Sequence, residues 1–234
     1  MIPDYSESGA PIYHHELHQR HYELTPNDHE THQLIRRHAE SHVGKISSVF
    51  QETISDLVHV DVLIIDPEEN RDYYTLVTTG MSDRAMKVPE HCEMFAHAEL
   101  MLRLPTDWPM SEDAFREERN YWPIRWLRIL ARFPHEYQTW LFEGHTIPNQ
   151  DPPEPFADNT ELSGMLLTRP TSFDREIPHL EINPEKTVRF FCLVPLYREE
   201  MDFKLKFGYE AFLNRISEAG LSEVLDGNRP NLCA

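Results

Sequence analysis

The sequence is poor in glycine and lacks the motifs that mark several large enzyme classes. Only eight glycines occur among 234 residues, and there is no Walker loop, no G-x-G-x-x-G fingerprint and no G-x-S-x-G elbow. Loops that cradle phosphate groups are therefore excluded, and no Cys–His pair stands in a context that would activate a nucleophile. We expect a protein that is not an enzyme and needs no cofactor.

Cysteines and long apolar runs are also scarce. Cys92, Cys192 and Cys233 are far apart and form no C-x-x-C pair, so they are predicted to be free thiols in a reducing compartment. No apolar run approaches the roughly 20 residues that span a bilayer, and the N-terminus has no basic region followed by an apolar stretch. The sequence therefore predicts a cytoplasmic protein without a membrane partner.

Positive charge is the other deficit, because 22 basic side chains stand against 40 acidic ones and leave a net charge of -18. A field of this sign repels nucleic-acid backbones and attracts basic surfaces. No nucleic-acid partner is expected. The acidity is consistent with simple solubility or with a basic partner protein.

The chain divides by composition into a His-rich helical extension at 1–44, a main domain at 45–220 and a C-terminal tail at 221–234. A helix is predicted to begin at Asn27 or Asp28 and to end at Gly44. Eight of the 14 histidines fall in the extension: His14, His15, His18, His21, His29, His32, His38 and His42.

The main domain shows strand and helix periodicities in an irregular order. Strands are predicted at 46–52, 58–66, 73–79, 95–104, 139–147, 163–168 and 188–196. In 95–104, one face (Ala96, Ala98, Leu100, Leu102, Leu104) should be core, and the face with His97, Glu99 and Arg103 should be wetter.

Helical periodicity follows that strand. Trp122, Trp126, Ile129, Leu130 and Phe133 form a helical stripe that should be buried, and two more helices are predicted at 198–206 and 209–219. Segments 149–158 and 169–184 should be irregular. This order favours an α+β fold, with helices packed on a mixed β-sheet.

The histidines raise one catalytic alternative. His14-x3-His18-x2-His21 and His38-x3-His42 have spacings that can hold zinc, and Glu143 or His145 could supply acid–base chemistry to a metal-dependent hydrolase. No cysteine, H-E-x-x-H motif or second ligand shell supports the site, and a polar helix surface is the commoner explanation. We expect no metal.

Seven segments in order resemble the Suppressor of fused (SUFU) domain family. They are VHVDV at 58–62, LVTTGMSD at 76–83, AELMLRLP at 98–105, LAR at 130–132, EGHT at 143–146, NTELSGMLL at 159–167 and LVPLYREEM at 193–201. Together they cover about residues 45–215. The resemblance implies a mixed α/β fold and a role in protein binding, and the length resembles the bacterial stand-alone form, which is regarded as an immunity protein against toxin domains.

The family's contact residues transfer only in part. A ligand-contacting tyrosine that follows the G-x-S-D motif in the animal domain corresponds to Ala85, and a contacting aspartate falls near Glu90 to Glu93 without a clear equivalent. The ligand is therefore expected to differ. Exposed acids next to apolar side chains are also how protein-binding surfaces are composed. The predicted partner contacts are Asp83, Glu90, Glu93, Trp108, Glu143, His145, Asp158 and Asn159.

The leading hypothesis is an immunity or antitoxin protein that neutralises a basic toxin or effector domain by binding. The alternatives are the metal-dependent hydrolase and a regulatory or structural oligomer that associates through its N-terminal helix.

Overall fold

A computed structural model describes residues 4–16, 28–53, 55–172 and 175–234. Four α-helices occur in this part of the chain: α1 (His29–His42), α2 (Glu118–Glu136), α3 (Arg198–Phe207) and α4 (Tyr209–Ala219). The strands are β1 (Asp4–Tyr5), β2 (Pro11–Ile12), β3 (Ile46–Phe50), β4 (Asp61–Ile65), β5 (Tyr73–Thr79), β6 (His97–Pro105), β7 (Thr146–Pro148), β8 (Gly164–Thr168), β9 (Thr171–Ser172), β10 (Arg175–Glu176), β11 (Leu180–Asn183) and β12 (Lys186–Leu196).

The centre of the fold is an eight-stranded mixed sheet in the order β3-β4-β5-β6-β12-β8-β7, in which β11 also pairs with β12. Strands β6 and β12 run parallel, and the other pairs of this sheet are antiparallel. A parallel pair needs a crossover, and here the chain between β6 and β12 contains α2. The predicted α+β class with a mixed sheet and packed helices is confirmed.

Helix α2 covers one face of the sheet. The even-numbered positions of β6 from Ala98 to Leu104 pack there with Trp122, Trp126 and Leu130 in one apolar cluster. The predicted stripe was wrong at one position, because Ile129 is 36% exposed. Leu127 and Ala131 of the same helix are fully buried and belong to the core instead.

The opposite face of the sheet is also buried, so the prediction of a wetter face on β6 was wrong. Glu99, Met101 and Arg103 are all at most 5% exposed. The reason is that α1 lies on this face, where Ile35 and Ala39 pack in one cluster with sheet residues. Helices α3 and α4 cover a second part of the same face through Met201 and Phe212.

Local backbone geometry explains two differences from the predicted strands. The strand predicted at 139–147 is reduced to Thr146–Pro148, since Gly144 within it takes a positive φ of 80° that interrupts the extended chain. Within the segment predicted as irregular at 169–184, Leu180–Asn183 forms β11, because the long strand β12 offers it a pairing edge. Segment 149–158 has no regular structure.

The segments that flank the main domain both contact it. Asp28 caps α1, as predicted, by accepting a hydrogen bond from the backbone of Thr31 at 3.1 Å. In the tail, the backbone N–H of Leu225 donates to the carbonyl of Arg103 at 2.9 Å. The boundaries 1–44, 45–220 and 221–234 stay a prediction. Among the described residues, no helix is long and apolar enough to cross a membrane.

Candidate partner-binding surface

Asp83, which was predicted to contact a partner, lies under α1. Its side chain has no exposed area, and its Oδ2 is 2.9 Å from Nε2 of His32. The backbone N–H of Asp28 also donates to it, at 3.4 Å. In this conformation the Asp83 carboxylate connects α1 to the sheet. It is not available to a partner, because it is buried and already paired with His32.

The turn that carries Asp83 is held by the buried carboxylate of Glu99. This carboxylate accepts hydrogen bonds from Thr78 Oγ1 at 2.6 Å, from Ser82 Oγ at 2.7 Å and from the backbone N–H groups of Gly80 and Ser82, both at 3.0 Å. Burial nevertheless raises the pKa of Glu99. Gly80 has a φ of 109°, and a Cβ there would overlap the carbonyl oxygen of His59. The second half of the LVTTGMSD segment, from Gly80 to Asp83, is therefore a structural turn that follows β5.

Three predicted contact residues meet near the start of α2. Trp108 donates from Nε1 to the carbonyl of Asn120 at 3.0 Å. Asp158 pairs with Arg119 at 3.2 Å, and the side chain of Asn159 donates to the Arg119 carbonyl at 3.4 Å. Both Asp158 and Asn159 are exposed, while Trp108 is half-buried.

Two acidic loops surround this point, and together we call segments 105–119 and 149–161 the acidic surface. They are joined by the contacts of Arg119 with Asp158 and Asn159, and Phe156 of the second segment also stacks on Trp122 of α2, with ring centroids 4.8 Å apart. Against nine carboxylates they carry only Arg116 and Arg119, a net charge of -7. The nine acids are all exposed: Asp107, Glu112, Asp113, Glu117, Glu118, Asp151, Glu154, Asp158 and Glu161.

Glu143 and His145 lie elsewhere, between β7 and the start of α4. Glu143 pairs with Nε of Arg169 at 2.5 Å and accepts from the Tyr209 hydroxyl at 3.3 Å. This ion pair stands between two cavities of about 340 and 790 Å³, which Glu143 and Arg169 both line. Burial lowers the pKa of His145 to about 4, and the ring packs edge-on against Trp140 at 5.0 Å.

Glu90 and Glu93 belong to an exposed loop near this second group. The loop also exposes 62% of Met94. It approaches Glu143 through Phe95, whose ring packs against Phe142 at 4.9 Å. The predicted contact residues therefore lie in two separate groups, and Asp83 is buried away from both. The first group is Trp108, Asp158 and Asn159, and the second is Glu90, Glu93, Glu143 and His145.

The N-terminal histidines do not gather into a common site where they are described. His14 contacts Asp4 at 3.1 Å, and His15 packs on Phe133 at 5.2 Å. His38 and His42 are adjacent at 4.3 Å, but Nε2 of His38 bonds the Pro178 carbonyl at 2.8 Å. His18 and His21 lie outside the described residues. Within the described ranges no group of three His, Cys, Asp or Glu side chains could hold a metal ion.

Sequence reasoning missed a Ser–His–Asp arrangement near β4. Nδ1 of His59 is 2.6 Å from Ser55 Oγ, and Nε2 of His59 is 3.1 Å from Asp61. The Ser55 hydroxyl, however, donates to Glu52 at 2.8 Å, and Glu52 forms an ion pair with Arg132. Since its proton is directed to Glu52 and the residue is only 9% exposed, this network fastens the segment before β4 to α2. No sequence motif marks it.

Comparison with known proteins identifies the family to which this α+β protein belongs. The sequence profile of the family described as Suppressor of fused protein (SUFU) matches residues 56–230. The chain therefore belongs to the SUFU family, as its motifs predicted. No curated protein sequence matches the chain.

Solved structures of this family share the fold at low sequence identity. A SUFU homologue from Neisseria gonorrhoeae FA 1090 superimposes with a TM-score of 0.63 and 20% identity, over 87% of this chain and 97% of that one. The Sufu–Fu complex gives a TM-score of 0.59 with 13% identity, over 86% and 92% of the two chains. Drosophila Suppressor of Fused gives 0.50 with 14% identity, over 74% of this chain and 42% of that one.

Proposed function

We propose that the protein is a non-catalytic binding protein of the immunity type, which neutralises a basic toxin or effector domain by covering part of its surface. The acidic surface carries this proposal. It combines a net charge of -7 with the half-buried indole of Trp108, which packs edge-on against Trp122. Charged rims around an aromatic anchor are typical of protein interfaces.

The overall charge of -18 supports the same role. Long-range attraction between oppositely charged partners raises the association rate, and salt screens it over about 8–10 Å. An acidic inhibitor that must capture a basic domain quickly gains from such a field. A related structure, the Sufu–Fu complex, is of a family member with another protein bound.

The second group of predicted contacts supports the proposal less directly. Glu90 and Glu93 are exposed and could extend the interface. Glu143 and His145 are already engaged with Arg169 and Trp140, so we assign the main contact to the acidic surface.

The experiment is a pull-down from native lysate at low and high salt, with two triple variants of equal charge change. The first variant is Glu112→Lys, Asp151→Lys and Glu161→Lys on the acidic surface. The matched control is Glu69→Lys, Asp72→Lys and Glu185→Lys, which are exposed acids elsewhere.

We expect a basic protein to be recovered at low salt and to be lost at high salt. The acidic-surface variant should weaken its association by about tenfold or more, while the control changes it far less. Recovery of no partner, salt-insensitive binding, or equal effects of the two variants would each contradict the proposal.

A further inference from the structure

Lys204 of α3 is a buried lysine with no counterion among the described residues. It is 8% exposed. Its Nζ makes one hydrogen bond, to Oγ1 of Thr146 at 3.3 Å, and no carboxylate in the described part of the chain pairs with it. Burying an ammonium group in this way is costly unless the charge is neutralised or serves a purpose.

Each of the other four lysines is either exposed or paired with a carboxylate. Lys45, Lys87 and Lys206 are exposed, and Lys186 pairs with Asp28 at 3.3 Å. Lys206 is two residues away on the same helix, so it is a natural control for the chemistry of Lys204.

The surroundings of Lys204 are basic. His145 precedes Thr146, and its pKa is held low by burial and by the Lys204 cation. His15 also lowers the pKa of His145 through its charge. The N-terminal hairpin of β1 and β2 contacts α3 beside this point, since the backbone N–H of Ser8 donates to the Leu205 carbonyl at 3.2 Å.

Burial favours the neutral amine. Burial lowers the pKa of Lys204 to about 8, so roughly a tenth of the amine is uncharged at pH 7, against well under a thousandth for an ordinary lysine. An uncharged, desolvated lysine amine is a nucleophile.

We propose that Lys204 is a covalent modification site whose amine takes up carbon dioxide as a carbamate. The Nζ lone pair attacks the carbon of CO₂, a C=O π bond opens to place its electrons on oxygen, and one N–H proton leaves to solvent. The products are R–NH–COO⁻ and H⁺, so no oxidant, reductant or activated donor is needed.

The small size and the charge of the site favour CO₂ as the electrophile. An amine that is 8% exposed is reached by a small, uncharged molecule more readily than by a bulky acyl donor. The reaction also replaces a cation that pairs with no described carboxylate by an anion near His145, which can then accept a proton and pair with the carbamate. The proposal is independent of the function proposed above.

The test is carbon NMR of the full chain in ¹³C-bicarbonate near pH 8, with wild type, Lys204→Met and Lys206→Met. We expect a protein-bound carbamate resonance in wild type and Lys206→Met that is absent from Lys204→Met. The chain's α-amino group can give a carbamate resonance of its own, which would remain in all three proteins. Thermal melting of Lys204→Met, which should be at least as stable as wild type, checks that the variant is folded.

A second measurement separates carbamate formation from a merely structural lysine. In proton NMR titrations, bicarbonate should raise the pKa of His145 in wild type and leave it unchanged in Lys204→Met. Absence of a Lys204-dependent carbamate resonance, or a His145 pKa that ignores bicarbonate in wild type, would overturn the proposal.

Discussion

The guanidinium of Arg229 and the carboxylate of Glu200 form a buried, two-pronged ion pair, with Nη1–Oε1 at 2.6 Å and Nη2–Oε2 at 2.5 Å. The two side chains are 6% and 0% exposed. Glu200 also accepts from the backbone of Tyr197 at 3.0 Å and of Leu232 at 2.9 Å. This one relationship fastens the C-terminal tail to the start of α3.

Substitution of Arg229 should therefore destabilise the whole fold. Arg229→Met leaves the Glu200 carboxylate buried and uncompensated, which costs about 3–5 kcal/mol. The measurement is urea denaturation of wild type and variant. The control is Arg116→Met, since the Arg116–Asp113 pair is more than 80% exposed on both sides and should contribute less than about 1 kcal/mol. Equal effects would contradict the role given to the pair.

Helix α2 provides a test of burial with a matched control on the same helix. Trp126→Asp places a charge in the core, where the indole is 6% exposed, and we expect insoluble protein. Ile129→Asp lies three residues further on, at 36% exposure, and should remain soluble with a similar melting temperature. Soluble, cooperatively melting Trp126→Asp protein would refute the assignment of this face.

Stability should fall as the pH drops below about 6.5, and His135 is one cause. Burial lowers its pKa to about 4, so the unfolded chain binds a proton at higher pH than the folded chain does. The contribution is complete above pH 6.5, is lost progressively as the pH falls, and levels off near pH 4. Its full size is about 3 kcal/mol at 1.36 kcal/mol per pKa unit.

The His135 contribution can be isolated with a substitution that keeps its hydrogen bond. His135→Gln can still donate to the Met81 carbonyl, which lies 3.1 Å from the His135 ring nitrogen. Its unfolding free energy, measured by urea denaturation between pH 4 and 7, should depend less on pH than that of wild type. His29→Gln, at an exposed position, should reproduce the wild-type slope; equal slopes in all three proteins would contradict the prediction.

His32 contributes to the pH dependence of stability with the opposite sign to His135. Burial alone would lower its pKa, but the Asp83 hydrogen bond and the nearby carboxylates raise it overall. Its contribution is therefore fully present below pH 6.5 and is lost as the pH rises through the folded-state pKa. In Asp83→Asn, proton NMR should show a lower His32 pKa than in wild type. An unchanged His32 pKa would contradict this pairing.

Deletion of residues 1–43 should cause aggregation, because it uncovers the sheet face on which Ile35, Ala39 and Val43 pack. Deletion of residues 1–16 keeps α1 and should leave a soluble protein. Light scattering and urea denaturation of both truncations provide the measurement. A 1–43 deletion that stays monodisperse with unchanged stability would show that α1 adds nothing to the core.

The alternative of an oligomer that associates through the N-terminal helix therefore needs substitutions on the exposed side of α1. Gln33→Glu and Arg37→Glu alter exposed positions of that helix. If the helix is an oligomer contact, light scattering should show a smaller particle for this variant than for wild type.

The sequence alone determined the class of fold, the family and the positions of most elements. Period-two alternation in β6 and 3.6-residue periodicity in α2 depend on local burial, which the order of apolar residues records directly. The capping residue Asp28 and the terminal Gly220 mark helix ends through local hydrogen bonds and backbone conformation, and these also need no tertiary information.

Only the tertiary structure decided which residues are available to a partner. Asp83 and Glu99 are polar in sequence, yet α1 and the Gly80 turn bury them, because a segment far away in the chain covers the second face of the sheet. Conversely, segments 105–119 and 149–161 form the acidic surface together because Arg119 contacts Asp158 and Asn159, and because Trp108 and Phe156 both pack on Trp122. Charge can be counted from sequence, but the position of each charge depends on long-range packing.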